Sequence, residues 1–220
     1  MSSHAVKICF FRLLRGAKVY NRRLQRGYPV ITFEEPKFII NPLHYMKKIL
    51  AIGGSNSTNS INKKLANFTA LLFAESDVNL YDLSLIDIPI FSLQLEEKTS
   101  IPESVLAFAK LMDEADLIVL SLAENNGNLN AGFKNLLDWT SRIKGRKIFA
   151  EKPMLLMATS PGARGGSSVL DIAQKSFPYQ GAVIKNTFSL PSFYQNYDDE
   201  KGITHVELLE HLKAIINALN

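Results

Sequence analysis

A single cysteine, Cys9, stands among 220 residues. Its solitude excludes an internal disulfide, a CxxC redox pair and a thiolate zinc site. Histidine is almost as scarce: His4, His44, His205 and His211 are scattered without metal-ligand spacing, so no metal centre is expected. Between Met46 and Lys201 there is neither Cys nor His, and redox chemistry in that stretch has to come from a bound organic cofactor. No apolar run approaches the roughly 18 residues of a membrane-spanning helix, so no membrane partner is expected.

What is present describes a globular chain: 46% hydrophobic and 21% charged residues, enough length for one domain with a real core. The net charge of +4 is unevenly spread. Met1 to Tyr45 holds eight basic and two acidic residues, which leaves 17 basic and 19 acidic from Met46 onward, or −2. The basicity belongs to the leader, and the globular part gives no electrostatic reason to expect nucleic acid.

From Ile49 onward, short apolar runs alternate with stretches of helical spacing. Ile49 to Ile52, Val78 to Asp82, Leu117 to Leu120, Met154 to Met157 and a run starting at Ala182 to Ile184 read as strands. Helical stripes fall on Ile61, Leu65, Phe68 and Leu72; on Val105, Phe108, Ala109 and Met112 after Pro102; and on Phe133, Leu136, Leu137 and Thr140. Two more run from about Ser168 to Phe177 and along Val206, Leu209, Leu212 and Ile216. Leu83 to Ser100 reads as a long loop. The strands are wholly apolar rather than alternating, which predicts a parallel sheet covered on both faces. The expected fold is α/β, a flavodoxin-like doubly wound five-stranded sheet of order 2-1-3-4-5, with its ligand crevice at the carboxyl ends of strands one and three.

Three loops leave that rim. Strand one ends in Gly53-Gly54, and seven of the next eight residues are Ser, Thr or Asn before helix one begins. A glycine- and hydroxyl-rich turn ahead of a helix offers backbone N–H groups and a positive dipole end to an anion. It matches neither G-x-x-x-x-G-K-[ST] nor G-x-G-x-x-G, and an ordinary polar turn with a Ser or Asn cap accounts for it equally well. The second loop, Ser121 to Gly132, is rich in Asn and Gly. The third is Ser160 to Ser168, SPGARGGSS. No comparable cluster occurs on the opposite rim.

GSNSTNSIN resembles the phosphate loop of the NADPH-dependent FMN reductase family, G-S-x-R-x-x-S-x-N. Gly54, Ser55, Ser60 and Asn62 match, and Ser57 stands at the Arg position. AENNGNLNAGFKNLLDW resembles the family's P-E-Y-N-x-S…L-K-N-A-I-D-W signature at Glu124, Asn126, Lys134, Asn135, Asp138 and Trp139; Ala123 and Asn125 replace Pro and Tyr. SPGARGG is similar to S-x-G-x-x-G-G at Ser160, Gly162, Gly165 and Gly166. The resemblance runs from Met46 to about Asn220.

The resemblance implies FMN held by Ser55, Ser57, Ser60, Ile61 and Asn62 at its phosphate. Without the Arg the phosphate is expected to be held less tightly, with Lys63 or Arg164 as the candidates to compensate. Ala123, Glu124, Asn125, Asn126 and Gly127 would lie along the flavin edge, and Ser160, Gly162 and Gly165 on the pyrimidine side. It implies a cytoplasmic homodimer or homotetramer in which hydride passes from NADPH or NADH to flavin N5, then to a quinone, flavin or similar small-molecule acceptor by a ping-pong scheme. No side chain is required as acid or base. Lys134, Asn135, Asp138 and Trp139 would fix the second loop. The rival readings are a flavodoxin-like FMN electron carrier and a divergent, non-enzymatic binding module.

Met1 to Tyr45 has six Arg or Lys residues between Arg12 and Arg26 and no acid before Glu34. It reads as a basic targeting segment, an unfolded appendage, or translated sequence upstream of the native start, with residues 46–220 as the FMN-binding domain. We favour the last, because Met46-Lys47-Lys48 leads directly into strand one. N-terminal mass spectrometry of the natively expressed protein is then expected to find Met46 first; an intact terminus at Met1 or Ser2 contradicts it.

Overall fold

The computed structural model describes residues 20–23, 29–32 and 46–220 of a chain that divides into two units, 1–45 and 46–220. In the first unit Tyr20–Arg23 and Pro29–Thr32 pair as antiparallel strands, with Tyr20 opposite Thr32. The other readings made for Met1 to Tyr45 lie outside the described residues.

The second unit is built on five parallel strands: β1 (Lys47–Gly54), β2 (Ser76–Tyr81), β3 (Leu117–Asn125), β5 (Pro153–Thr159) and β6 (Val183–Leu190). They lie in the order β2-β1-β3-β5-β6, which is the expected flavodoxin-like order; a two-residue strand, β4 (Asn128–Leu129), pairs antiparallel with the end of β3. The apolar runs that look uniform in one dimension separate into two faces in three, because successive side chains point to opposite sides. Leu50 and Ile52 of β1, Ile118, Leu120 and Leu122 of β3, and Met154, Leu156 and Ala158 of β5 join one core. Ile49 and Ala51, Leu117 and Val119, and Leu155 and Met157 join the other.

Each face has its own helices. α3 (Glu103–Glu114), α4 (Ala131–Thr140) and α5 (Ser167–Ser176) cover the first with Val105, Phe108, Met112, Phe133, Leu136, Val169 and Ala173. α1 (Ile61–Leu71) and α7 (Val206–Leu219) cover the second with Leu65, Ala66, Leu212 and Ile216. Val206, assigned to the last apolar stripe, is instead exposed, and Ile215 takes the inward position. The stripe begins a turn later because His205 is the residue before the helix and the first turn faces solvent.

Two further expectations are corrected, and one segment without an expectation is structured. Leu83 to Ser100 is not a featureless loop: it holds a 3₁₀ turn (Leu83–Leu85) capped by Asp82 and a short helix, α2 (Leu93–Lys98), capped by Ser92. β3 does not stop at Leu120 but runs five residues further, into the second loop. Between β6 and α7 the chain adds a one-turn helix, α6 (Phe193–Asn196), and a tight hairpin of β7 (Tyr197–Asp198) and β8 (Gly202–Ile203).

The junction of β1 with α1 is unusually close. A Cβ on Gly53 would lie 2.6 Å from the backbone of Lys63, so only glycine lets the helix start hard against the strand end. Lys63 then reaches across to the end of β2. Its Nζ lies 2.5 Å from Asp82 Oδ2 and donates to the Thr58 carbonyl at 3.1 Å. Burial pushes the Asp82 carboxyl up, but hydrogen bonds from Lys63 and Ser84 outweigh it and hold the group below its ordinary 3.8. A depressed carboxyl stabilises the fold above its unfolded pKa, and that stability is lost as pH falls through the folded value. Asp82→Asn is expected to lower Tm at pH 7 by about 2–4 °C, corresponding to about 1 kcal/mol, with the gap to wild type closing under acid. Thermal denaturation from pH 7 to 3 measures this, and a pH-independent gap refutes it.

Candidate functional site

The first loop connects Gly54 to Ile61. Ser60 is the N-cap of α1, its Oγ accepting from the Lys63 N–H at 3.1 Å. Ser55 Oγ accepts from the Ser57 N–H at 3.2 Å and shapes the turn from within. Ile61 and Asn62 hold the first two helical positions, so their N–H groups have no intrahelical acceptor and point out of the positive end of the helix.

The Asn62 side chain does something else. It is 3% exposed, and its carboxamide joins two strands. Oδ1 accepts from Ser121 Oγ of β3 at 2.7 Å and from the Thr159 N–H of β5 at 3.1 Å; Nδ2 donates to the Thr159 carbonyl at 3.2 Å. Thr159 passes the link on, its hydroxyl donating to the Leu190 carbonyl of β6 at 2.6 Å. Ser55, Ser60 and Asn62 were expected to act together on a phosphate. Of the three, Asn62 offers that site its backbone N–H while its side chain locks the rim.

The second loop is a hairpin. Glu124 and Asn125 pair with Leu129 and Asn128, and the two residues between them are both left-handed, Asn126 at φ 51° and Gly127 at φ 74°. Asn-Gly is the pair that a two-residue turn of this hand favours. Asn130 Nδ2 then donates to Asn56 Oδ1 of the first loop and to Asn125 Oδ1, each at 3.1 Å, while its Oδ1 caps α4 by accepting from the Phe133 N–H. Glu124 turns the other way, its carboxylate accepting from the Val169 N–H in the first turn of α5 at 3.2 Å and lying 3.6 Å from Arg164. Loop two is thereby tied to loop one by amides and to loop three by a carboxylate at a helix N-terminus.

The three loops enclose one cleft of about 180 Å³ that opens to solvent. Ser55, Ser57, Ser60, Ile61 and Asn62 line one side, Ala123, Glu124 and Asn125 another, and Ser160 a third. Asn126 and Gly127 lie at the hairpin tip, and Gly162 and Gly165 lie deeper in the third loop; these four do not line it. Asn59, Thr159, Pro161 and Tyr194 line it and were missed. Thr159 ends an apolar strand and carried no signal beyond position; Tyr194 sits in a segment with no motif.

Lys134, Asn135, Asp138 and Trp139 lie behind the cleft. Lys134 and Asp138 pair with each other at 2.6 Å. Asn135 accepts from the Phe91 N–H, and the Trp139 indole donates to the Pro89 carbonyl at 2.7 Å. Asn135 and Trp139 fix the segment after β2, not the second loop as expected, because their face of α4 looks toward that segment.

Three closely tied loops at the switch point of a doubly wound sheet define a flavodoxin-like α/β protein. Residues 47–195 match the NADPH-dependent FMN reductase family model, and the chain belongs to that family. It is an oxidoreductase enzyme of the NAD(P)H-dependent, FMN-type quinone reductase group, and the cofactors expected from its sequence are the family's own. It is 30% identical over 178 residues to an NADPH:quinone oxidoreductase of Arabidopsis thaliana, covering 78% of this chain and 89% of that one. It is 29% identical over 154 residues to a 2-hydroxy-1,4-benzoquinone reductase of a Burkholderia species, covering 70% and 81%. The fold is similar to that of a flavoenzyme NAD(P)H:(acceptor) oxidoreductase from Paracoccus denitrificans, with a TM-score of 0.64, 24% identity, and coverage of 79% and 94%.

Asn62→Ala removes three hydrogen bonds and leaves buried polar groups of Ser121 and Thr159 unpaired. Thermal denaturation is expected to show a loss of about 2–4 kcal/mol. An unchanged Tm would show that the bridge is dispensable.

Proposed function

We propose that this protein is a quinone reductase that binds FMN in the three-loop cleft and takes electrons from NAD(P)H in a ping-pong scheme. The observation that supports it most directly is the first turn of α1, where the N–H groups of Ile61 and Asn62 face the three-loop cleft without competition from a carboxylate on that side. The phosphate would be held by these groups with the Ser57 backbone and hydroxyl. The ring would lie against Ala123 to Asn125 and Ser160. Bound there, FMN supplies two-electron redox chemistry between a nicotinamide donor and a quinone-type acceptor.

The protein's own share is to bind, to orient and to leave room. The cleft is open, so donor and acceptor would use one face in turn rather than together. Among the described residues neither nearby cation is free for the cradle: Lys63 is held by Asp82 and Thr58, and Arg164 lies by Glu124. A dianion held by neutral donors at a helix end is bound without desolvating a charged partner. This favours reversible FMN uptake. The family match over 47–195 supports residues 46–220 as the catalytic domain. Leu85, Ile90 and Leu93, exposed on the segment that α4 clamps, support self-association as a homodimer or homotetramer.

The purified protein is expected to be yellow or to turn yellow with added FMN, to bleach when mixed anaerobically with NADPH, and to regain colour on adding a quinone. Varying both substrates should give parallel reciprocal lines. Binding of FMN without bleaching by NADPH or NADH would point to an electron carrier instead, and failure to take up FMN would refute the reading. Ser57→Arg is expected to tighten FMN by roughly 5- to 30-fold, as a charge-assisted contact of about 1–2 kcal/mol would.

A further inference from the structure

Among the described residues that line the cleft, Tyr194 is the only aromatic; the rest are Ser, Asn, Thr, Ala, Ile, Glu and Pro. It is also 73% exposed, an unusual state for a tyrosine that the fold has gone to some trouble to place. Tyr194 sits in α6, immediately after a turn that is both strained and pinned. Ser192 is left-handed at φ 47°, a conformation that a non-glycine residue adopts only when its surroundings hold it there. Two hydrogen bonds do so: the Ser192 N–H donates to the Gly162 carbonyl at 3.0 Å, and the Phe193 N–H donates to the Ser160 carbonyl at 3.1 Å. Phe193, 2% exposed, anchors the turn in the core. Its ring meets that of Tyr194 edge-on with centroids 5.6 Å apart. The third loop and α6 therefore move as one piece, and the free face of Tyr194 belongs to the cleft.

We infer that Tyr194 is a positioning residue for the cofactor, the aromatic wall against which the planar ring of a bound flavin rests. The inference deepens the flavin reading and depends on it. A flat conjugated ring gains offset-stacked or edge contacts from an aromatic partner beyond its area burial. Nothing else lining this cleft provides one.

The test uses the full-length protein, FMN as the probe, and binding and emission rather than turnover. Tyr194→Leu is expected to weaken FMN roughly 3- to 10-fold in an absorbance titration, with Tm unchanged because the side chain is mostly in solvent. Tyr194→Phe is expected to retain affinity within about twofold. A phenol in contact with a flavin quenches its fluorescence by electron transfer and a benzene ring does not, so emission of bound FMN should rise in Tyr194→Phe as well as in Tyr194→Leu. If wild type binds FMN but the two variants show wild-type affinity and emission, the assignment of Tyr194 is wrong while the flavin reading stands. If wild type takes up no FMN, the flavin reading fails and this inference falls with it. A fall in affinity that tracks a fall in Tm would overturn the positioning role in favour of a structural one.

Discussion

The carboxyl edge of this sheet depends on one buried carboxamide. Parallel strands are hydrogen-bonded along their length, but at the rim the ladders stop and each loop departs independently. Asn62 sits where the first helix meets that rim and satisfies a hydroxyl of β3 together with both backbone groups of Thr159 on β5. An amide is the side chain suited to this, because it donates and accepts from one rigid plane. A hydroxyl could not span the two strands, and a carboxylate would face the Thr159 carbonyl with no proton to offer. The same residue presents its backbone N–H outward at the start of α1. Anchoring the rim and starting the helix are thus two uses of one position, and they cannot drift apart.

Charge is arranged around that cradle rather than in it. Lys63 follows Asn62 directly, yet it turns away to Asp82 and Thr58, where it braces the loop from behind. Arg164 lies near Glu124, whose carboxylate is itself spent on the first turn of α5. An anion in the proposed site would meet oriented N–H groups and a helix end.

Much of this was legible in the sequence. The five apolar runs gave the strand order, since a strand covered on both faces shows no alternation and leaves few topologies open. The three polar loops were recognisable because they followed those runs on one rim. What escaped was of two kinds. Asn126-Gly127 is a hairpin signal in plain view, hidden because the flanking residues, Glu124, Asn125 and Asn128, are polar rather than alternating. Thr159, Asn130 and Tyr194 gave no local signal: their roles depend on partners 29 or more residues away for Thr159 (Asn62 and Leu190), on Asn56 for Asn130, and on the third loop for Tyr194. Asn62 illustrates the limit best. Its place in a loop pattern was evident, but a pattern cannot distinguish a residue that touches a ligand from one that holds the walls apart.

The amide chain Asn56–Asn130–Asn125 has a further consequence. It joins the first loop to the second through groups that neither titrate nor attract counterions. Screening shortens the reach of charge to about 8 Å at physiological ionic strength, but it has little purchase on contacts between neutral dipoles. The spacing between these two loops is therefore set by a ruler that electrolyte does not stretch. A cell that concentrates or dilutes its ions would leave that spacing unchanged.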